Sequence, residues 1–225
     1  MSLQILRRDD LPLGGFAGLT EHRLVVDSRV GGGSDTWDGL GGFVYLADAR
    51  FLPNGETTMH NHKEIDVISV LVSGRISHEG SLEHGQSMAA GQAQAQRAGG
   101  EGFSHNEINP DATQNRMLQL WALPPIPGEP ASYKFYDLEP GEITCIYGGS
   151  KDQDITLDST THIEVGMLSA GQSVSRNGEF LLYVSTGNGQ INDQHVTEGD
   201  LIRGEDLNFV AADTDTQVII VYSKY

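Results

Sequence analysis

Basic residues are scarce in this chain. Lysine and arginine number 14 against 31 aspartates and glutamates, a formal net charge of −17. Such a balance repels phosphate backbones and anionic membrane surfaces. The cations are scattered, with Arg7 and Arg8 the only adjacent pair, so direct nucleic-acid binding is not expected. Cysteine is limited to Cys145. That excludes an intramolecular disulfide and suits a reducing compartment. No stretch approaches the roughly 20 apolar residues of a membrane span, and the opening "MSLQILRRDD" lacks the apolar core of a signal peptide. A soluble cytoplasmic protein without membrane contact is the expectation. Long helical periodicity is missing too. The nearest candidate, "GSLEHGQSMAAGQAQAQRAGG", is broken by its own glycines.

What the chain has is glycine, 28 residues spread along its length. Between the glycines lie short segments such as "GGFVYLADARFLP", "DVISVLVSG", "RMLQLWALP", "EFLLYVSTGNG" and "TQVIIVYSKY". Period-two patterns bounded by Gly, Asn and Asp turns read as short strands. The predicted class is all-β, a sandwich or barrel. A repeat is also visible. "FLPNGETTMHNHKEIDVISVLVSGRISHEG" resembles "LSAGQSVSRNGEFLLYVSTGNGQINDQ", and the closing strands "MLQLWAL" and "QVIIVYS" correspond. The sequence therefore predicts two tandem β-barrels, residues 1–130 and 131–225, joined through the Pro-rich stretch 123–142.

Two dyads stand out in the first repeat. His60 and His62 are spaced i, i+2, as are His105 and Glu107. On a strand, such pairs project to one face. If the two strands lie close together, three imidazoles and one carboxylate converge. That mixed set suits a first-row transition metal and leaves about two positions open on an octahedral ion. A closed structural zinc site would more often use cysteine. The second copy carries Ser175, Asn177 and Glu179 where the first has its histidines, so no equivalent metal site is expected there. Asp66 shares the face of His60 and His62 by strand parity, and the expectation is that it accepts a ring N–H from a ligand histidine. His78 and His84 flank the turn "HEGSLEHG" and read as solvated loop residues. His22, His162 and His195 read as ordinary polar residues, Cys145 as a small buried apolar one, and Trp37 and Trp121 as core or pocket wall.

The segments "HNHKEIDVISVLVSG", "AGGEGFSHNEIN" and "MLQLWALPP" together resemble the pirin family of the cupin superfamily. The match is specific in these three segments and spans most of residues 40 to 125. It implies a bicupin fold whose C-terminal barrel lacks metal ligands. It also implies a mononuclear metal, Fe(II) first, on His60, His62, His105 and Glu107; manganese, nickel, copper and zinc suit the same ligand types. Asn61, Lys63 and Asp66 depart from the family's proline, arginine and glutamate. The activity implied is quercetin 2,3-dioxygenase-like, with a flavonol or related phenolic and dioxygen as substrates and Glu107 as general base. The alternative is a non-catalytic, iron-dependent redox sensor that binds a protein partner. A metal-free bicupin scaffold is the third reading.

Overall fold

The structure is a computed structural model that describes residues 3–82 and 86–224. Among these residues, nineteen strands account for nearly all regular structure, and no helix is long and apolar enough to cross a membrane. The chain divides into two compact units. The first strand, β1 (Gln4–Arg7), belongs to the C-terminal unit, where it pairs with residues 200–203.

The N-terminal unit spans residues 12–137. One sheet is built from β2 (Gly14–Phe16), β3 (Leu19–Val26), β4 (Phe43–Phe51), β6 (Asp66–Ser73), β9 (Gln92–Arg97), β11 (Arg116–Ala122) and β12 (Ser132–Asp137). Its spatial order is β12-β9-β6-β11-β4-β3-β2. The other sheet has the order β5-β10-β7-β8, from β5 (His60–His62), β7 (Arg75–Gly80), β8 (Ser87–Ala89) and β10 (Phe103–Ile108). Strand β6 lies between β9 and β11, and its residues Asp66 to Leu71 are all buried. That explains why "VISVLV" reads as a near-continuous apolar run rather than a clean alternation. Leu19, Phe51, Leu71, Ile76, Met88 and Met117 form one core cluster, and Val67, Ala98 and Phe103 another. Each Val, Leu, Ile, Phe or Met side chain among them is worth about 1.5–3 kcal/mol when fully buried.

The C-terminal unit comprises residues 1–11 and 138–225. Its strands are β13 (Ile143–Gly149), β14 (Ser159–Leu168), β15 (Ser173–Thr186), β16 (Asn188–Ile191), β17 (Gln194–Thr197), β18 (Asp200–Ala211) and β19 (Thr216–Ser223). The order is β13-β14-β19-β15-β18-β16-β17, with β1 also on β18. The run β18-β15-β19-β14-β13 repeats the run β9-β6-β11-β4-β3 of the first unit, strand for strand in topology. The fold is all-β with two barrels of like strand order, as the repeat predicts, and of the bicupin kind that the resemblance implies.

The unit boundaries fall elsewhere than at residue 130, for a reason that lies in strand pairing. Strand β12, beyond that point, adds to β9, while β1 adds to β18. Each barrel thus takes an edge strand that a linear division at 130 assigns to the other.

Candidate metal centre

Strand β5 is three residues long and pairs antiparallel with β10, with His60 opposite His105 and His62 opposite Phe103. The i, i+2 parity of each strand then turns His60, His62 and His105 toward one point. The Nε2 atom of His105 is 3.0 Å from His62 Nε2 and 3.0 Å from His60 Nε2. One nitrogen from each ring lies within 4.8 Å of the others.

The hydrogen-bonding chemistry shows what this cluster fits. His60 Nδ1 is 2.9 Å from the Thr58 carbonyl oxygen. A carbonyl can only accept, so Nδ1 carries the proton and the neutral ring presents a bare lone pair at Nε2. Thr58 itself has a positive φ of 65°, unusual for a β-branched residue. Burial, and secondarily the His60 charge, lower the His62 pKa to about 4. Burial followed by the neighbouring imidazoles lowers that of His105 to about 2. Both rings are therefore neutral at pH 7. Converging imidazoles whose neutral forms direct a lone pair inward are a donor set for a cation.

Glu107 lines the same cavity as the three imidazoles. Its carboxylate is not within 4.8 Å of all three ring nitrogens. Ser69 Oγ donates to its Oε1 at 3.2 Å. Burial pushes the Glu107 pKa up to about 7, opposed by the Ser69 hydrogen bond. A buried carboxyl with so little compensation is stabilised as an anion by a nearby cation. The residues thus fit a bound metal.

The cavity encloses about 50 Å³, room for roughly three to five waters at 10–15 Å³ each. One wall is aromatic: Tyr45 and Trp121 stack with centroids 4.2 Å apart at 18°. Trp121 is pocket wall, as expected, and its buried Nε1 has no hydrogen-bond partner among the described residues. Polar groups sit on the same lining. Glu21 accepts from Arg23 Nε at 2.6 Å and from the Tyr45 hydroxyl at 3.3 Å. Gln119 donates to the Ile68 carbonyl at 3.2 Å. Phe16, 46% exposed, also lines the cavity.

Two expectations are corrected by the geometry. Asp66 does not serve a ligand histidine. It lies opposite Arg97 across the β6–β9 pair, and the guanidinium donates to both carboxylate oxygens at 3.0–3.2 Å. Arg97 also reaches Glu129 at 2.5 Å. The strongest electrostatic partner in reach outcompetes a ring N–H. His78 is not a solvated loop residue either. It is buried on β7, with Nε2 2.7 Å from His105 Nδ1. The buried alternation of Ile76 and His78 in "RISHEG" was the available signal. His84 lies outside the described residues.

The remaining candidates are elsewhere. His195 is exposed, and Trp37 is a half-buried loop residue bridged to Val25 rather than core. His22 is half-buried on β3, opposite Asp48. His162 stacks on Tyr222 at 5.1 Å and 9°. Cys145 is 3.9 Å from His162 Nδ1, but burial raises the pKa of its thiol, which makes it a poor nucleophile. Ser175, Asn177 and Glu179 are exposed. Among the described residues, no second cluster of metal-ligating side chains occurs.

Comparison with known proteins gives consistent results. Residues 42–122 match the family described as Pirin. The protein ZMO1337 of Zymomonas mobilis, named as a candidate quercetin 2,3-dioxygenase, is 33% identical over 86 residues, 38% of this chain and 36% of that one. The chain therefore matches only about a third of that relative's length. Quercetin 2,3-dioxygenase of Escherichia coli K12 is 24% identical over 170 residues, 72% of this chain and 73% of the relative. Among solved structures, bacterial pirin YhhW of Escherichia coli in complex with nickel(II) superposes with a TM-score of 0.82 at 17% identity, covering 98% of each chain. At that identity the superposition speaks for the fold alone.

Proposed function

Because residues 42–122 match the family described as Pirin, we propose that His60, His62, His105 and Glu107 hold one metal ion at which a phenolic substrate is oxidised by dioxygen. The observation that carries this reading is the convergence of three imidazoles on one point beside a buried carboxyl. When bound, the metal supplies Lewis acidity toward a chelating hydroxyl. The rest is work for the chain. Glu107, a buried carboxyl on the cavity lining beside the imidazoles, accepts the phenolic proton as general base. The Tyr45–Trp121 stack offers a flat apolar face to an aromatic ring. Glu21, on the same lining, offers an acceptor to ring hydroxyls. Fe(II) is the first candidate. Manganese, nickel, copper and zinc suit the same donors, with occupancy set by availability.

The alternative reading is a non-catalytic, metal-dependent sensor that presents its state to a protein partner. The net charge of −17 points such a partner away from nucleic acid.

Elemental analysis of protein from its own host, joined to oxygen-uptake assays with flavonols and catechols, separates the readings. Metal and oxygen consumption are expected together. Metal without consumption favours the sensor, and no metal removes both. His62→Ala should cut metal content sharply while circular dichroism stays unchanged. Full occupancy in that variant would remove His62 from the site.

A further inference from the structure

We propose that His78 is a positioning residue for the metal centre: it accepts the Nδ1 proton of His105 and so holds the tautomer whose Nε2 lone pair faces His60 and His62. This rests on the metal reading above. The two rings meet at 2.7 Å between His78 Nε2 and His105 Nδ1, a short N–H···N hydrogen bond. Their planes are 67° apart with centroids at 4.9 Å, an edge-on approach rather than a stack. His78 and His105 are each 1% exposed, so bulk water does not compete for either nitrogen.

The strand register explains how two rings come this close. On the β7–β10 pair, His78 lies opposite Glu107, and Gly80 lies opposite His105. A Cβ at Gly80 would collide with the Ser104 carbonyl and the His105 backbone. Glycine therefore permits the close strand approach at His105, and the two imidazoles meet diagonally.

The direction of this one hydrogen bond decides how many ligands the site has. Were His78 to donate, the proton of neutral His105 would sit on Nε2, and that nitrogen would be lost to a metal. With His78 accepting, Nε2 is free to bind. His60 has no such choice, because its Nδ1 partner is a carbonyl. Of these two ligands, then, only His105 depends on a side chain for its tautomer. An acceptor on the far nitrogen of a ligating histidine also fixes the ring plane and raises its basicity, and losing one typically weakens metal binding about 10–100-fold.

Two measurements test the assignment. The first is Zn(II) affinity of the full chain, by competition with a chelating dye. His78→Leu fills the space without an acceptor and should weaken binding about 10–100-fold. His78→Gln, whose amide oxygen can occupy the place of Nε2, should recover most of the loss. The second is long-range ¹⁵N–¹H correlation spectroscopy of the Zn(II)-loaded wild type. It should show His105 protonated at Nδ1, with coupling across to His78 Nε2. An unprotonated His105 Nδ1 overturns the proposal, as does a folded His78→Leu variant with wild-type affinity. If His78→Leu does not fold, the wild-type spectrum decides alone. A wild type that takes up no Zn(II) refutes the metal reading and this assignment with it. Zn(II) uptake with the opposite tautomer refutes only the assignment.

Discussion

Glu107 carries two demands at once under the proposed function, ligation and proton acceptance, and a single atom exchange separates them. Glu107→Gln keeps an oxygen donor and loses the base. It should retain part of the metal and lose most oxygen consumption, by about 10²–10⁴-fold, with metal content measured beside the rate. A variant that turns over at the wild-type rate removes Glu107 from proton transfer.

A different carboxylate governs acid stability. Asp27 is buried and accepts from Arg29 Nε at 2.7 Å, from Arg29 Nη2 at 2.8 Å, and from the backbone N–H groups of Arg29 and Gly39. The Arg29 hydrogen bond, opposed by burial, holds its pKa well below the usual carboxylate range. With the folded value depressed, its stabilisation is present above the ordinary pKa near 4 and is lost as pH falls below it. Denaturant titrations from pH 5 to pH 2 should show stability falling, and Asp27→Asn should flatten that fall. The His-x-His and His-x-Glu spacings were legible in the sequence because strand parity is local. The service of His78 to His105 was not, because it crosses two strands whose register no single segment specifies.

At the scale of elements, β6 and β9 are joined by more than their ladder. Buried Asp66 and Arg97 and half-buried Glu129 form a carboxylate–guanidinium–carboxylate chain. Removing one member of such a chain leaves uncompensated buried charge, at a cost of about 3–5 kcal/mol. Arg97→Met should therefore lower unfolding free energy by about that amount. Metal bound per folded molecule should stay near the wild-type level, since Asp66 and Glu129 lie outside the imidazole cluster. A variant as stable as wild type would show that the chain contributes little. The element pattern itself was largely readable. Strands such as "DVISVLVSG" and "RMLQLWALP" declare themselves by β-branched content and glycine boundaries. The partner of Asp66 was hidden because Arg97 is 31 residues away, and parity names a face without naming what lies opposite.

For the whole molecule, the repeat in sequence foretold two barrels, and the matching strand order bears that out. The placement of β1 was not legible: "QILR" is a generic strand, and nothing near it states that its partner begins at Asp200. Its pairing nonetheless predicts a selective effect of truncation. Deleting residues 1–11 should destabilise the C-terminal unit, seen as a lower-temperature transition, while metal binding in residues 12–137 persists. A truncated chain that melts as wild type would make β1 energetically idle. The same pairing sets a timetable for synthesis. Residues 12–137 are contiguous and can complete their barrel while translation continues. Gln4–Arg7 leaves the ribosome well ahead of its partner strand, which emerges nearly 200 residues later. At about 5–20 residues per second that is a delay of roughly 10–40 s, during which an unpaired strand trails from a folded barrel and is open to chaperones or to the wrong edge.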